Sequence, residues 1–188
     1  MNNTYFFMRH GQSTANVRKI IVSFPENGIA HFGLSTLGKK QVISSISKNK
    51  DLDKDTIIYA SDFKRAKETA EIVHNHINAN NPIVFSKNLR ERNFNQLEKT
   101  NYSSYFFKVW EFDLLGRSFK DIESVYSIAD RFKELIIDLD KKYSRKKILL
   151  VSHGDVISVG LTVFNKKDPK YHHKLFFMLE NAEIIKVK

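Results

Sequence analysis

The chain has 188 residues, 41% of them hydrophobic, which is enough for one domain with a sizeable core. It contains no cysteine, so disulfides, thiolate metal centres and cysteine nucleophiles are excluded. The formal charge is +10, which favours anionic partners, but the lysines are scattered and no aromatic-interleaved basic patch signals specific nucleic-acid binding.

Residues 5–8 read as a short apolar strand that stops at the corner Arg9-His10-Gly11. Gly11 is expected to allow a tight turn there and to bring backbone amides close to whatever sits beside His10. No cationic leader or small-residue cleavage site precedes this strand, and no stretch approaches the roughly 20 apolar residues of a membrane span. No membrane insertion and a cytoplasmic location are therefore expected.

Residues 17–33 contain Pro25, Gly28 and Gly33 among apolar residues and read as a loop lying over the corner. Ser35 and Thr36 suit the cap of a helix reaching Asn49, with Leu37, Val42, Ile43 and Ile46 turned inward. Residues 56–60 read as a buried parallel strand, and Asp62 as the cap of the next helix, whose stripe is Ala66, Ala70, Val73 and Ile77. A third strand spans residues 82–85. Residues 89–99 are polar and irregular, and an aromatic helix over residues 102–114 suits core and lid packing. A long helix over residues 121–143 leads to a fourth strand, residues 147–151, which ends in a second corner, Ser152-His153-Gly154. A helix over residues 156–164 follows. Two last strands are expected at residues 174–178 and 182–187.

Strands alternating with helices predict an α/β fold: a three-layer sandwich with a mostly parallel central sheet of about six strands, covered on both faces. One domain over residues 1–188 is expected, with lid-like segments near residues 17–33 and 99–120. In such sheets the C-terminal strand ends share one edge, where ligands bind. Four pieces reach that edge: His10, Arg65 in the first turn after the second strand, Glu91 after the third, and His153 after the fourth. A strand-end histidine beside a planar, five-donor Arg9 suggests phosphate chemistry. His74, His76, His172 and His173 show no tetrahedral metal pattern and read as surface residues.

These residues and their order resemble the histidine phosphatase superfamily, also called the phosphoglycerate mutase-like family. Its Arg-His-Gly signature is Arg9-His10-Gly11, with Ser13 and Asn16 following. Leu34, Gly38 and Gln41 fit a second segment, and Ser61, Arg65, Ala66, Thr69 and Ala70 a third. Leu89, Glu91, Phe94 and Glu98 fit a fourth, Val151-Ser152-His153-Gly154 a fifth, and Asn181-Ala182 precedes the last strand. The chain departs from the pattern at Asn95 and Lys99, where the family usually has glycine, and at Gln12, where Glu is common.

The resemblance implies double displacement through a phosphohistidine, without metal or other cofactor. His10 is then the nucleophile. Arg9, Arg65 and His153 clamp the phosphoryl oxygens, and Asn16 and Gly154 add to phosphate binding. Glu91 acts as proton donor and then as base. Asp155 reads as a first-turn helix acid. The function implied is a phosphatase acting on a small phosphate monoester, and the chain's charge suggests a multiply anionic one. A phosphoglycerate mutase and a silent anion-binding module are the alternatives. The basic, proline-bearing lid sequence of the mutases has no clear counterpart here.

Overall fold

The strands at the centre, β1 (Thr4–Arg9), β2 (Ile57–Ala60) and β4 (Lys147–Ser152), are built from nearly continuous apolar runs, as strands covered on both faces must be. With β3 (Val84–Phe85) and β5 (Ile184–Lys186) they form one sheet of order β3-β2-β4-β1-β5. All pairings are parallel except β1 with β5. This computed structural model describes residues 2–102, 106–176 and 178–187.

The pleat sorts the core. Tyr5, Phe7, Ile57, Tyr59, Ile148 and Leu150 point to one face, under α6 (Val125–Lys142) and α7 (Gly154–Phe164). Phe6, Met8, Ile58, Ala60, Leu149 and Val151 point to the other, under α3 (Thr36–Lys48) and α4 (Lys64–His76). The three-layer α/β architecture is as expected. A third apolar cluster lies outside the sheet and joins Ile21, Phe94, Leu97, Val109 and Ile122. It ties α5 (Phe106–Leu114) to the loops that carry these other residues. The short helices α1 (Thr14–Arg18), α2 (Pro25–Gly28) and α8 (His172–Leu175) complete the fold.

Several expectations need correction. The sheet has five strands among the described residues, not about six. The expected strand at residues 174–178 gives way to α8, because Pro169 opens a 3₁₀ turn and His172 is drawn into the interior by Ser158 and Asp113. Phe177 of that strand lies outside the described residues, as do residues 103–105 at the expected start of the aromatic helix. Leu37 and Ile43 are about half exposed, so Val42 and Ile46 alone carry that helix's apolar stripe. Asp62 does not cap α4; it pairs with Arg90. Among the described residues, no helix is long and apolar enough to cross a membrane.

Gly11 serves a different purpose from the one expected. Its φ is not positive, but a Cβ there would lie 2.6 Å from the Gly38 carbonyl oxygen. A Cβ on Gly38 would lie 2.0 Å from the Gln12 carbonyl oxygen. The two glycines let the first turn of α3 press directly against the His10 corner.

Candidate active site

Register explains why two distant histidines meet. β1 and β4 pair in parallel with Arg9 opposite Ser152, so the next residues, His10 and His153, leave the sheet side by side. Their rings stand edge to face at 5.1 Å. Both are buried. The corner is held from below: the His10 amide donates to Ser152 O, the Gly11 amide to Thr69 Oγ1 at 3.2 Å, and Asn181 Nδ2 to His10 O at 3.1 Å. The His10 and Gly11 amides are thus spent on structure and are not offered to a ligand, contrary to expectation.

His10 Nδ1 lies 2.7 Å from Gly11 O. A carbonyl oxygen only accepts, so Nδ1 carries the proton and the Nε2 lone pair faces the pocket. Arg65 Nε donates to that Nε2 at 3.0 Å. Burial, then Arg65 and Arg9, hold the His10 pKa well below its ordinary value, so the ring is neutral and nucleophilic at neutral pH.

Among the buried polar atoms with no partner in the protein are Arg9 Nε, Arg65 Nη1 and His153 Nδ1, on the residue before His10, the residue bonded to its ring and the residue whose ring stands against it. Buried polar atoms are almost always satisfied, so unpartnered guanidinium N–H groups on both arginines beside the His10 ring suit an anion. Arg9 is anchored through Nη1 to Leu179 O and Arg65 through Nη2 to Val22 O. Burial lowers the Arg65 pKa to about 10, which leaves it cationic at neutral pH. His153 Nε2 lies 3.0 Å from Ser61 Oγ. Burial and the nearby Arg65 keep His153 neutral at neutral pH too. Asn16 turns Oδ1 into the α1 cap, where it accepts from Ser13 N and Oγ, so its NH₂ is the end left for the pocket. Gly154 opens α7, lines the same pocket, and has a first-turn amide without an intrahelical acceptor.

Glu91 Oε2 lies 3.5 Å from Arg65 Nη2 and 3.6 Å from His153 Nδ1. Burial pushes its pKa up to about 7, with Arg65 opposing and Asp155 adding to the rise. A carboxyl poised there can give a proton and take one back. Asn95 and Lys99, the departures from glycine, have φ of 45° and 61°. Both therefore keep the left-handed backbone that glycine would supply, and the loop holds its shape. Glu98 fastens that loop to the segment opposite, accepting from Ser23 N, Ser23 Oγ, Phe24 N and Asn27 Nδ2.

The structure also brings in residues that sequence reasoning missed. Arg92, fully buried, donates to both oxygens of Asp113 at 2.7 Å and to Asp155 at 3.4 Å. His172 Nε2 lies 3.3 Å from Asp113 and His173 Nε2 3.7 Å from Asp155. Neither histidine is the surface residue expected: His172 is fully buried, and His173 lies against Trp110 with centroids 3.9 Å apart. One signal was available, since Asp113 lies one turn after buried Val109 and so shares its apolar face. Ligand atoms of Asp113, His172 and His173 come within 4.8 Å of one another. They do not fit a metal, because both Asp113 oxygens already accept from Arg92 and a cation there would sit against a guanidinium.

The profile of the histidine phosphatase superfamily (branch 1) matches residues 5–188. The chain is 26% identical over 163 residues to the uncharacterised phosphatase PhoE of Bacillus subtilis, covering 87% of this chain and 78% of that one. It is 25% identical over 161 residues to a metal-independent phosphoserine phosphatase of Arabidopsis thaliana, covering 80% and 63%. The structure of mycobacterial glucosyl-3-phosphoglycerate phosphatase superposes with a TM-score of 0.78 at 20% identity, covering 97% of this chain and 88% of that one.

Proposed function

The chain belongs to the histidine phosphatase superfamily, and from that premise we propose that it hydrolyses a small phosphate monoester through a phosphohistidine on His10. The observation that carries the proposal is the His10 ring: Nδ1 fixed on Gly11 O, Nε2 free of a proton, and unpartnered guanidinium N–H groups beside it. In the first step Nε2 attacks phosphorus, the N–P bond forms, and the P–O bond to the leaving group breaks. Protonated Glu91 gives its proton to the leaving oxygen. In the second step Glu91, now a carboxylate, takes a proton from water. The water oxygen attacks phosphorus, and the N–P bond breaks to release inorganic phosphate and neutral His10.

Arg9, Arg65 and His153 hold the transferring oxygens, so positioning and fixed charge supply the stabilisation. Arg65 Nε leaves the His10 Nε2 lone pair as the phosphoryl group arrives, and its fork turns to phosphoryl oxygens.

Rapid quench into alkaline detergent with a ³²P-labelled ester tests this reading. The wild type is expected to release inorganic phosphate and to show an acid-labile phosphoprotein. His10→Ala should lack both. Label retained in His10→Ala, or conversion of 3-phosphoglycerate to 2-phosphoglycerate without phosphate release, would overturn it.

A further inference from the structure

The pocket above His10 has a volume of about 510 Å³, far more than a phosphate needs, and its walls differ sharply from its floor. Among the described residues that line it, the only Lys or Arg side chains are Arg9 and Arg65, both at the phosphoryl position. The remaining charged lining groups are the carboxyls Glu91 and Asp155. A leaving group bearing its own carboxylate would therefore meet like charge and no cation. The +10 overall charge suggested a multiply anionic ester, but none of that excess lies where the leaving group would sit.

One wall is a stack of rings. Tyr102 meets Phe106 edge to face at 5.7 Å, Phe106 meets Trp110 at 5.5 Å, and Phe107 meets Trp110 at 5.8 Å. Phe107 is 74% exposed, an aromatic ring left in water at the rim. Ile20 and Ile21 extend the same apolar wall: Ile21 shares a cluster with Tyr102, Phe106 and Trp110, and its segment is stitched to theirs by Ile21 N to Thr100 O and Lys99 N to Ile21 O. The Trp110 end of the wall is anchored: Asp113 on its helix is gripped by Arg92, and His173 lies against Trp110. An apolar wall beside a single phosphate clamp selects a leaving group by its surface.

We infer that the preferred substrate is a phosphomonoester whose alcohol portion is uncharged and carries a planar ring, seated against the apolar wall formed by Tyr102, Phe106, Phe107, Trp110 and Ile20. This rests on the phosphatase reading above and sharpens its substrate class. Burying one ring against such a wall corresponds to about 10- to 100-fold in kcat/KM.

The test compares 2-phenylethyl phosphate, ethyl phosphate, O-phosphoserine and 3-phosphoglycerate, all of which expel an alkoxide, so intrinsic reactivity is nearly constant. The expected order places 2-phenylethyl phosphate at least about 10-fold above ethyl phosphate, with the two carboxylated esters lowest. Trp110→Ala should collapse the phenylethyl-to-ethyl ratio toward one. Phe107→Ala, at an exposed position where folding is not at stake, should reduce it several-fold. A ratio near one in the wild type, or a carboxylated ester as the best substrate, overturns the inference while leaving His10-dependent hydrolysis standing. Failure of all four esters to exceed His10→Ala overturns the phosphatase reading as well.

Discussion

The proposed mechanism gives Glu91 two opposite tasks, and its surroundings set the pH at which each is possible. Burial raises its pKa to about 7, so below that pH it is protonated and can act as the acid in the first step. Neutral His10, with a pKa well below its ordinary value, imposes no competing loss of nucleophile in the same range. For an alkyl phosphate, kcat/KM should therefore fall as pH rises through about 7. Glu91→Gln should lower alkyl ester turnover by about 10²- to 10⁴-fold. With 4-nitrophenyl phosphate, whose leaving group departs as a stable anion, that variant should still become phosphorylated on His10 and then stall. Stopped-flow measurement of the nitrophenolate burst checks this, and a variant that turns over this ester freely would remove Glu91 from the second step. At this scale the sequence was informative where a motif and a strand end coincided, as at His10 and His153. It was silent on Arg92, which reads like any arginine in a polar loop. Its burial depends on Asp113, 21 residues later, and on Asp155, 63 residues later.

Elements position these residues through a few contacts that tolerate little change. α3 presses on the His10 corner because two glycines face each other, and α5 is tied to the Glu91 loop through Arg92 and Asp113. Removing one partner of a buried ion pair costs about 3–5 kcal/mol, because the other charge is left unsolvated. Arg92→Met should therefore destabilise the fold by about that amount, since Asp113 and Asp155 both lose their cation. Arg92→Met with Asp113→Leu should recover part of the loss, because one of the stranded carboxylates is gone. Urea unfolding of the four members of this cycle measures the coupling, and additive losses would show that the pair is not a unit. The same comparison explains which elements were legible. The buried strands and α6 followed from their apolar runs and period. The expected strand at residues 174–178 failed because tertiary contacts decide there: His172 turns inward to Ser158 and Asp113 and the chain coils into α8. Leu37 and Ile43 failed because the apolar stripe on that helix is narrower than its apolar residues suggest.

Over the whole molecule, 31 lysines and arginines stand against 21 acids, whereas among the described residues that line the pocket Arg9 and Arg65 stand against Glu91 and Asp155. The surface charge therefore acts on a substrate before it binds, not after. A phosphate dianion approaching from solution feels the summed positive field, which raises the encounter rate. At the clamp it meets Arg9 and Arg65, which are buried enough to be screened little by salt. Salt should separate these two contributions. The Debye length shrinks from about 30 Å at 0.01 M to about 8 Å at 0.15 M ionic strength. Over that range kcat/KM should fall several-fold for an ester whose capture is limited by encounter, while kcat stays nearly constant. The dependence should weaken for a slowly reacting ester that equilibrates before chemistry. A parallel fall in kcat would place the salt-sensitive charge inside the site instead of around it. Uniform insensitivity would mean that the positive excess has no part in bringing substrate to His10.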